Sequence, residues 1–391
     1  MYPLLLFLII YLAFVSLGLP DSALGVAWPF MRSDLSLPLE AAGPIAIVLT
    51  SCSAVSSVAS GFINRKIGTG RVVLVSGFLT AAGLAGYSFC PSYLWILVAA
   101  LPLGFGQGAV DSSLNGYVAK HYTSRHMNWL HASWGIGATI GPVIMTFAMS
   151  SWGSWRSGYR AIAVVQCVLS VLFMIALPLW SKVPAHRGEK KSHTAQKRNR
   201  VISGLRHPEP WVQIAMYCVY AAAEFVVGIW AASLLIESRH VPKETVGFWI
   251  SLYYGGIMAG RFLTGIVADR LGNHFMVRWG LSIAAAGAVM LSIPSYNVLV
   301  LPGLLLLGFG FAPVYPCLMH ESGSRFDGKT VHKVIGFQVG AACLGSSVIP
   351  AAVGFAASSS TLEIVGPCVG AMTLSLLVSS EWLNRRMREQ D

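Results

Sequence analysis

"GFGQGAVDSSLNGYV", residues 104–118, continues directly from the apolar stretch "YLWILVAALPL" (93–103) and holds one carboxylate, Asp111, in its middle. An ionised carboxylate at the centre of a membrane-spanning helix costs about 2.5–3.5 kcal/mol on insertion scales. The stretch is therefore either a loop of a soluble protein or a working site inside a membrane. The rest of the chain decides between them.

Of the 391 residues, 55% are hydrophobic and only 11% charged, against about 25% charged in a soluble globular protein. Runs able to cross about 30 Å of hydrocarbon fall near 3–30, 40–63, 72–90, 93–118, 127–149, 159–181, 210–236, 246–268, 276–294, 298–320, 334–357 and 362–384. The alternation of a membrane β-barrel is absent. We therefore expect an all-α membrane protein with twelve spans. The opening run lacks a basic leader region and a small-residue cleavage site, so it reads as the first span. The seven cysteines lie in or at the ends of spans, with no C-x-x-C pair. That spacing argues against metal or redox chemistry, and no cofactor is expected.

The net charge of +11 is unevenly placed. With both termini in the cytoplasm, the inner segments hold 21 of the 27 Lys and Arg and the outer segments five, with Arg261 inside a span. This bias fits the positive-inside rule. It also removes the nucleic-acid reading, because the basic run "KVPAHRGEKKSHTAQKRNR" (182–200) becomes a linker beside anionic headgroups. The expected organisation is a six-span half (1–181), a basic cytoplasmic linker (182–209) and a second six-span half (210–391).

The halves repeat. "LGFG" occurs at 103–106 and at 307–310, an offset of 204, and the same offset lays "GFINRKIG" (61–68) over "GIVADRLG" (265–272). With one residue of slippage "DSALGVAW" (21–28) matches "EFVVGIWA" (224–231), pairing Asp21 with Glu224 and Gly25 with Gly228. A duplicated six-helix unit with a site between its copies is the plan of an alternating-access transporter.

"GIVADRLG" resembles the cytoplasmic loop signature Gly-x-x-x-Asp-Arg-x-Gly of the major facilitator superfamily, and "GATIGP" (137–142) resembles its fifth helix. The resemblance spans the whole chain and implies two pseudo-symmetric six-helix bundles. It also assigns gating to Gly265, Asp269, Arg270 and Gly272. The first copy departs from the signature, with Arg65 where an Asp is usual. More narrowly, "GQGAVDSSLNGYV" followed by "LHASWGIGATIGP" (130–142) resembles spans four and five of the fucose–proton symporter and sodium–glucose-transporter-like branch. That resemblance implies one acid in span 1 and another in span 4, the helices of Asp21 and Asp111.

Asp21, Asp111 and Glu224 are the acids deepest in the spans, and intramembrane ionisable groups default to function. Asp111 is four residues from both Gln107 and Asn115, so the three line one helical face. The competing reading is a hydrogen-bond knot between helices. Asp21 follows Pro20 and precedes Pro29, so a kinked or unwound segment is expected there. Glu224 shares a face with Tyr217 and Tyr220, a setting suited to hydroxyl-rich solutes, or else it pairs internally with Arg261. His131, opening the fifth span, is expected beside Asp111 as a titratable partner.

Coupling of a proton or other cation is thus assigned to Asp111, Asp21 and His131. Solute contact is assigned to Glu224, Gln107, Asn115, Trp134, Tyr220, Trp28, Gln338, Tyr253 and Tyr315. Arg261 joins the gating group, with Glu224 or a bound anion as its expected partner. No phosphate-cradling loop and no nucleophile–base motif is present, so an enzyme is not expected. The leading expectation is a secondary transporter of a small polar solute, a sugar or polyol, by proton symport. Sodium remains an open alternative to the proton, and one chain suffices as a monomer in a bacterial cytoplasmic membrane. The alternatives are a proton-driven exporter of drugs or metabolites and a transport-inactive membrane sensor.

Overall fold

The computed structural model describes residues 2–122, 124–182, 206–294, 297–326 and 328–389. Twelve helices among the described residues are long and apolar enough to cross a membrane. Spans 1–6 are Leu4–Asp34, Leu39–Ile67, Thr69–Ser88, Tyr93–Val118, Trp129–Trp152 and Trp155–Ile175. Spans 7–12 are Pro208–Ser238, Lys243–Val267, Asn273–Leu291, Asn297–Ser322, Val334–Ser358 and Leu362–Met387. Both termini therefore lie at one end of the molecule, called here the terminal end, and the other is the distal end. Most of the linker expected at 182–209 falls outside the described residues.

Local signals set the helix limits. Span 6 starts at Trp155, earlier than hydropathy implies, because Ser154 caps it by accepting the Arg156 backbone N–H. Span 10 is two helices, Val300–Phe311 and Val314–Arg325, interrupted at Ala312 and Pro313, since proline has no N–H to continue the ladder. Span 1, expected to be kinked or unwound at Asp21, is not unwound: it runs as one helix through Pro20 and Pro29 to Asp34. Its neighbours hold it: Gly137 and Gly141 of span 5 bring that helix against the carbonyls of Val15 and Leu19.

The internal repeat is legible in the packing. A Cβ on Gly104 would meet the Leu49 carbonyl, and one on Gly308 the Tyr253 carbonyl, which is the same contact displaced by 204 residues. Likewise Gly83 packs on Ala99 and Leu103, and Gly287 on Gly303 and Leu307. The turns after spans 2 and 8 are closed by Gly68 and Gly272 with φ of 86° and 82°, a region that favours glycine. The fold is two pseudo-symmetric six-helix bundles.

The bundles meet at the distal end. Span 1 packs on span 7 through Gly25 and Gly228, span 2 on span 11 through Gly43 and Ala351, and span 5 on span 8 through Thr146 and Gly247. Arg32 reaches Glu237 across this seam at 3.2 Å.

Candidate functional site

At mid-membrane depth a polar cleft separates the bundles. Span 1 contributes Asp21, whose carboxylate is held twice: Gln107 Nε2 of span 4 donates to Oδ1 at 2.5 Å, and Trp134 Nε1 of span 5 donates to Oδ2 at 2.7 Å. One turn beyond Gln107, Asp111 is exposed although it sits in the middle of a span. The groups acting on it electrostatically include Asp21 of span 1, Tyr315 of span 10 and Cys343 of span 11. Its exposure is therefore into the space between bundles, and with the distal end closed that space opens toward the terminal end. Asn115 Nδ2 donates to Asp111 Oδ1 at 3.0 Å, so the polar face expected on span 4 is bonded along its own helix. Neither Asp21 nor Asp111 has an ion pair among the described residues.

The second bundle supplies the cation. Arg261 Nη2 lies 3.5 Å from Glu224 Oε1 and 3.4 Å from the Tyr220 hydroxyl. Its guanidinium also rests on the Trp134 ring, 5.1 Å from the centroid. Side-chain exposures of 13% for Arg261 and 7% for Glu224 leave little water to solvate either charge. Their mutual attraction and the ring face stand in for it. Arg261, expected among the gating residues, is thus placed in the cleft, opposite Trp134.

The other expected residues divide. Tyr315 and Trp134 are half-buried at the cleft. Tyr220 is 2% exposed; its hydroxyl meets Arg261 and its ring packs 6.1 Å from that of Tyr315. Tyr253 is fully buried and donates to the Glu224 carbonyl at 3.1 Å, tying span 8 to span 7. Trp28 and Gln338, expected to line the cleft, do not. Trp28 is fully buried and donates to the Leu39 carbonyl at 3.1 Å, closing the connection between spans 1 and 2. Gln338 is fully buried and donates to Ser322 at 2.9 Å, at the edge of a network centred on Arg325.

His131 packs among aromatic rings. Its ring stands edge-on to Phe14 at 5.7 Å and 6.5 Å from Tyr315. No ion pair joins it to Asp111 among the described residues. At the terminal end Gly265 and Arg270 are exposed, and Gly272 makes the turn noted above. The side chain of Asp269 lies outside those described.

Two features escaped the sequence reading. Tyr254 packs on Trp134, 6.2 Å between rings, and its hydroxyl occupies the space a Cβ on Gly228 would need. Its place seven residues before Arg261 was the available signal. The second is the network at the terminal end of bundle two. There buried Arg325 pairs with Glu321 at 2.6 Å and donates to Gln213 at 2.7 Å and to Asn384 at 2.6 Å. Spacing of four marks the first pair, but nothing local marks the others.

Two six-helix bundles around a polar cleft closed at one end define a membrane transporter. Residues 10–350 match the model of the Major Facilitator Superfamily, and the chain belongs to that superfamily. It is 23% identical to the cis,cis-muconate transport protein of Acinetobacter baylyi, over 93% of this chain and 90% of the relative. It is 20% identical to a glucose/mannose transporter of Bacillus subtilis, covering 83% and 81%. Among solved structures, a D-xylose–proton symporter superposes with a TM-score of 0.74 at 15% identity, covering 98% of this chain and 97% of the other.

Proposed function

We propose that the protein is a proton-coupled secondary transporter that imports a small polar solute, a sugar or polyol, by alternating access. The observation that carries the reading is Asp111: a carboxylate exposed in the middle of a span, without a cationic partner among the described residues. Such a group is costly when ionised, and taking up a proton removes the charge. Asp21, held by Gln107 and Trp134, is a second carboxylate in electrostatic range of it. Acids in spans 1 and 4 are also what the resemblance to fucose–proton symporters implies.

The positive-inside bias puts the terminal end in the cytoplasm, so the conformation described here faces inward. Residues 1–181 and 210–391 form the moving halves, joined by the basic cytoplasmic linker, in a bacterial cytoplasmic membrane. A proton bound from outside neutralises the cleft, the loaded carrier changes state, and the inner face receives both cargoes. One charge crossing 100 mV supplies about 2.3 kcal/mol. One chain carries both halves and works as a monomer. Gln107, Asn115, Trp134 and Tyr315 offer the amides and ring faces that recognise hydroxyls and sugar C–H groups. The glucose/mannose transporter among the relatives agrees with this class.

A second reading, an organic acid as cargo, is favoured by Arg261. Its bonds to Glu224 and Tyr220 are long, and a guanidinium fork suits a carboxylate. The muconate transport protein among the relatives points the same way.

Proteoliposomes with an internal pH dye, challenged with monosaccharides, polyols, dicarboxylates and cationic dyes, separate these readings. Sugar-driven acidification, lost in Asp111→Asn, is expected. Acidification by a dicarboxylate alone moves the cargo to the second reading. Proton movement with cationic dyes alone makes the protein an exporter, and a sodium requirement replaces the proton.

A further inference from the structure

Trp134 holds two contacts that belong to different bundles. Its Nε1 donates to Asp21 Oδ2 at 2.7 Å inside the first bundle. Its ring carries the Arg261 guanidinium of the second bundle at 5.1 Å. Beyond that ring, Arg261 has two long hydrogen bonds among the described residues, to Glu224 and Tyr220 through Nη2. We propose that Trp134 is the positioning residue that passes the protonation state of Asp21 to the Arg261–Glu224 pair, and thereby links the proton to the solute. The inference rests on the proton-coupled reading above and deepens it.

The physics lies in the two acceptors of one carboxylate. While Asp21 is ionised, hydrogen bonds to both of its oxygens are charge-assisted, roughly twice as strong as neutral ones. Trp134 is then pinned, and so is the ring face under Arg261. A proton arriving on Oδ2 turns that acceptor into a hydroxyl, while Gln107 keeps its bond to the Oδ1 carbonyl. The indole N–H then faces a hydroxyl oxygen, a weaker acceptor than a carboxylate, and is freer to turn. Arg261, mostly buried, then loses its ring face and must re-pair, either more closely with Glu224 or with a solute in the cleft. A proton in one bundle is thereby read as a change of partner in the other.

Every element around Trp134 contributes to the field there. Span 1 presents Asp21, and span 4 presents Asp111 beside neutral Gln107. Span 5 carries His131, which senses Arg261. Span 7 brings Glu224 and Tyr220, and span 8 brings Tyr254 and Arg261. Of the contacts described, those of Trp134 alone touch both Asp21 and Arg261.

Trp134→Phe keeps a ring for Arg261 and removes the N–H. The first measurement needs no solute. Purified protein is titrated with acid, and the emission of Trp134→Phe is subtracted from that of the wild type, isolating Trp134 among the twelve tryptophans. The difference signal is expected to titrate, and to become pH-independent when the pair is compared in an Asp21→Asn background. A difference that ignores pH, or that titrates equally with Asn at position 21, overturns the proposal.

The second measurement uses proteoliposomes and a sugar found by the screen above. Protons taken up per solute exchanged should fall at least tenfold in Trp134→Phe. Parallel loss of both would assign Trp134 a purely structural role and overturn the link. A wild type that moves no proton with any solute sinks the transport reading instead, and the fluorescence titration still decides on Trp134.

Discussion

Gly25 of span 1 lies directly against Gly228 of span 7, its own counterpart in the internal repeat, so closely that a Cβ on Gly25 would strike the Gly228 carbonyl. The pseudo-two-fold relation of the bundles therefore passes through the seam that closes the distal end. A side chain at Gly25 would keep that seam apart, whereas one at Gly228 would strike the Tyr254 hydroxyl of its own bundle.

Gly25→Val should prevent distal closure and cut solute accumulation at least tenfold. Ser251 of span 8 is 4% exposed and donates to the Thr139 carbonyl of span 5 across the bundles. A cysteine placed there should react faster with a polar thiol reagent in Gly25→Val than in the parent. Gly25→Ala should give a smaller change of the same sign. Equal reactivity in all three would show that the seam does not open and close.

The bridge from Arg32 to Glu237 spans the same seam at 3.2 Å, with side chains 28% and 24% exposed. Partly solvated pairs contribute about 0–1 kcal/mol, so Arg32→Ala should shift the distal-closed population by no more than about fivefold. The exchange Arg32→Glu with Glu237→Arg should restore it. Inter-bundle distances from paired spin labels, read at low and high salt, would check both the size and the electrostatic origin.

Asp111→Asn should lower solute-driven proton uptake at least tenfold and flatten the pH dependence of transport, because an amide cannot take up the proton. Asp111→Glu should keep part of the activity. Full coupling in Asp111→Asn would leave Asp111 a helix-bonding residue through Asn115 and transfer the proton to Asp21.

Arg325→Met removes one partner of a pair in which both side chains are 4% exposed. That leaves buried Glu321 with His274 at 2.8 Å in place of a fixed cation. Breaking a buried pair costs about 3–5 kcal/mol, so thermal unfolding in detergent should occur at clearly lower temperature. Removing both charges, in Arg325→Met with Glu321→Gln, should recover much of the loss. A single variant as stable as the parent would contradict the network.

The twelve spans, the duplication and the three deep acids are consequences of composition and local order. Length and hydropathy determine what can cross a bilayer, and a fixed offset of matching residues determines that the halves are alike. Helical spacing also placed Gln107, Asp111 and Asn115 on one face, because that relation lies within a single helix. Partners across helices were out of reach. Trp28 and Gln338 look like cleft residues by type, yet packing turns the first onto Leu39 and the second onto Ser322. The unbroken helix of span 1 through two prolines packs against the glycines of span 5, a contact that only the tertiary structure supplies. The meeting of Asp21, Trp134 and Arg261 joins residues more than a hundred positions apart. The packing of helices within the first bundle brings Trp134 to Asp21, and the packing of one bundle on the other brings Arg261 to Trp134. Side-chain periodicity specifies a face but not what that face will meet.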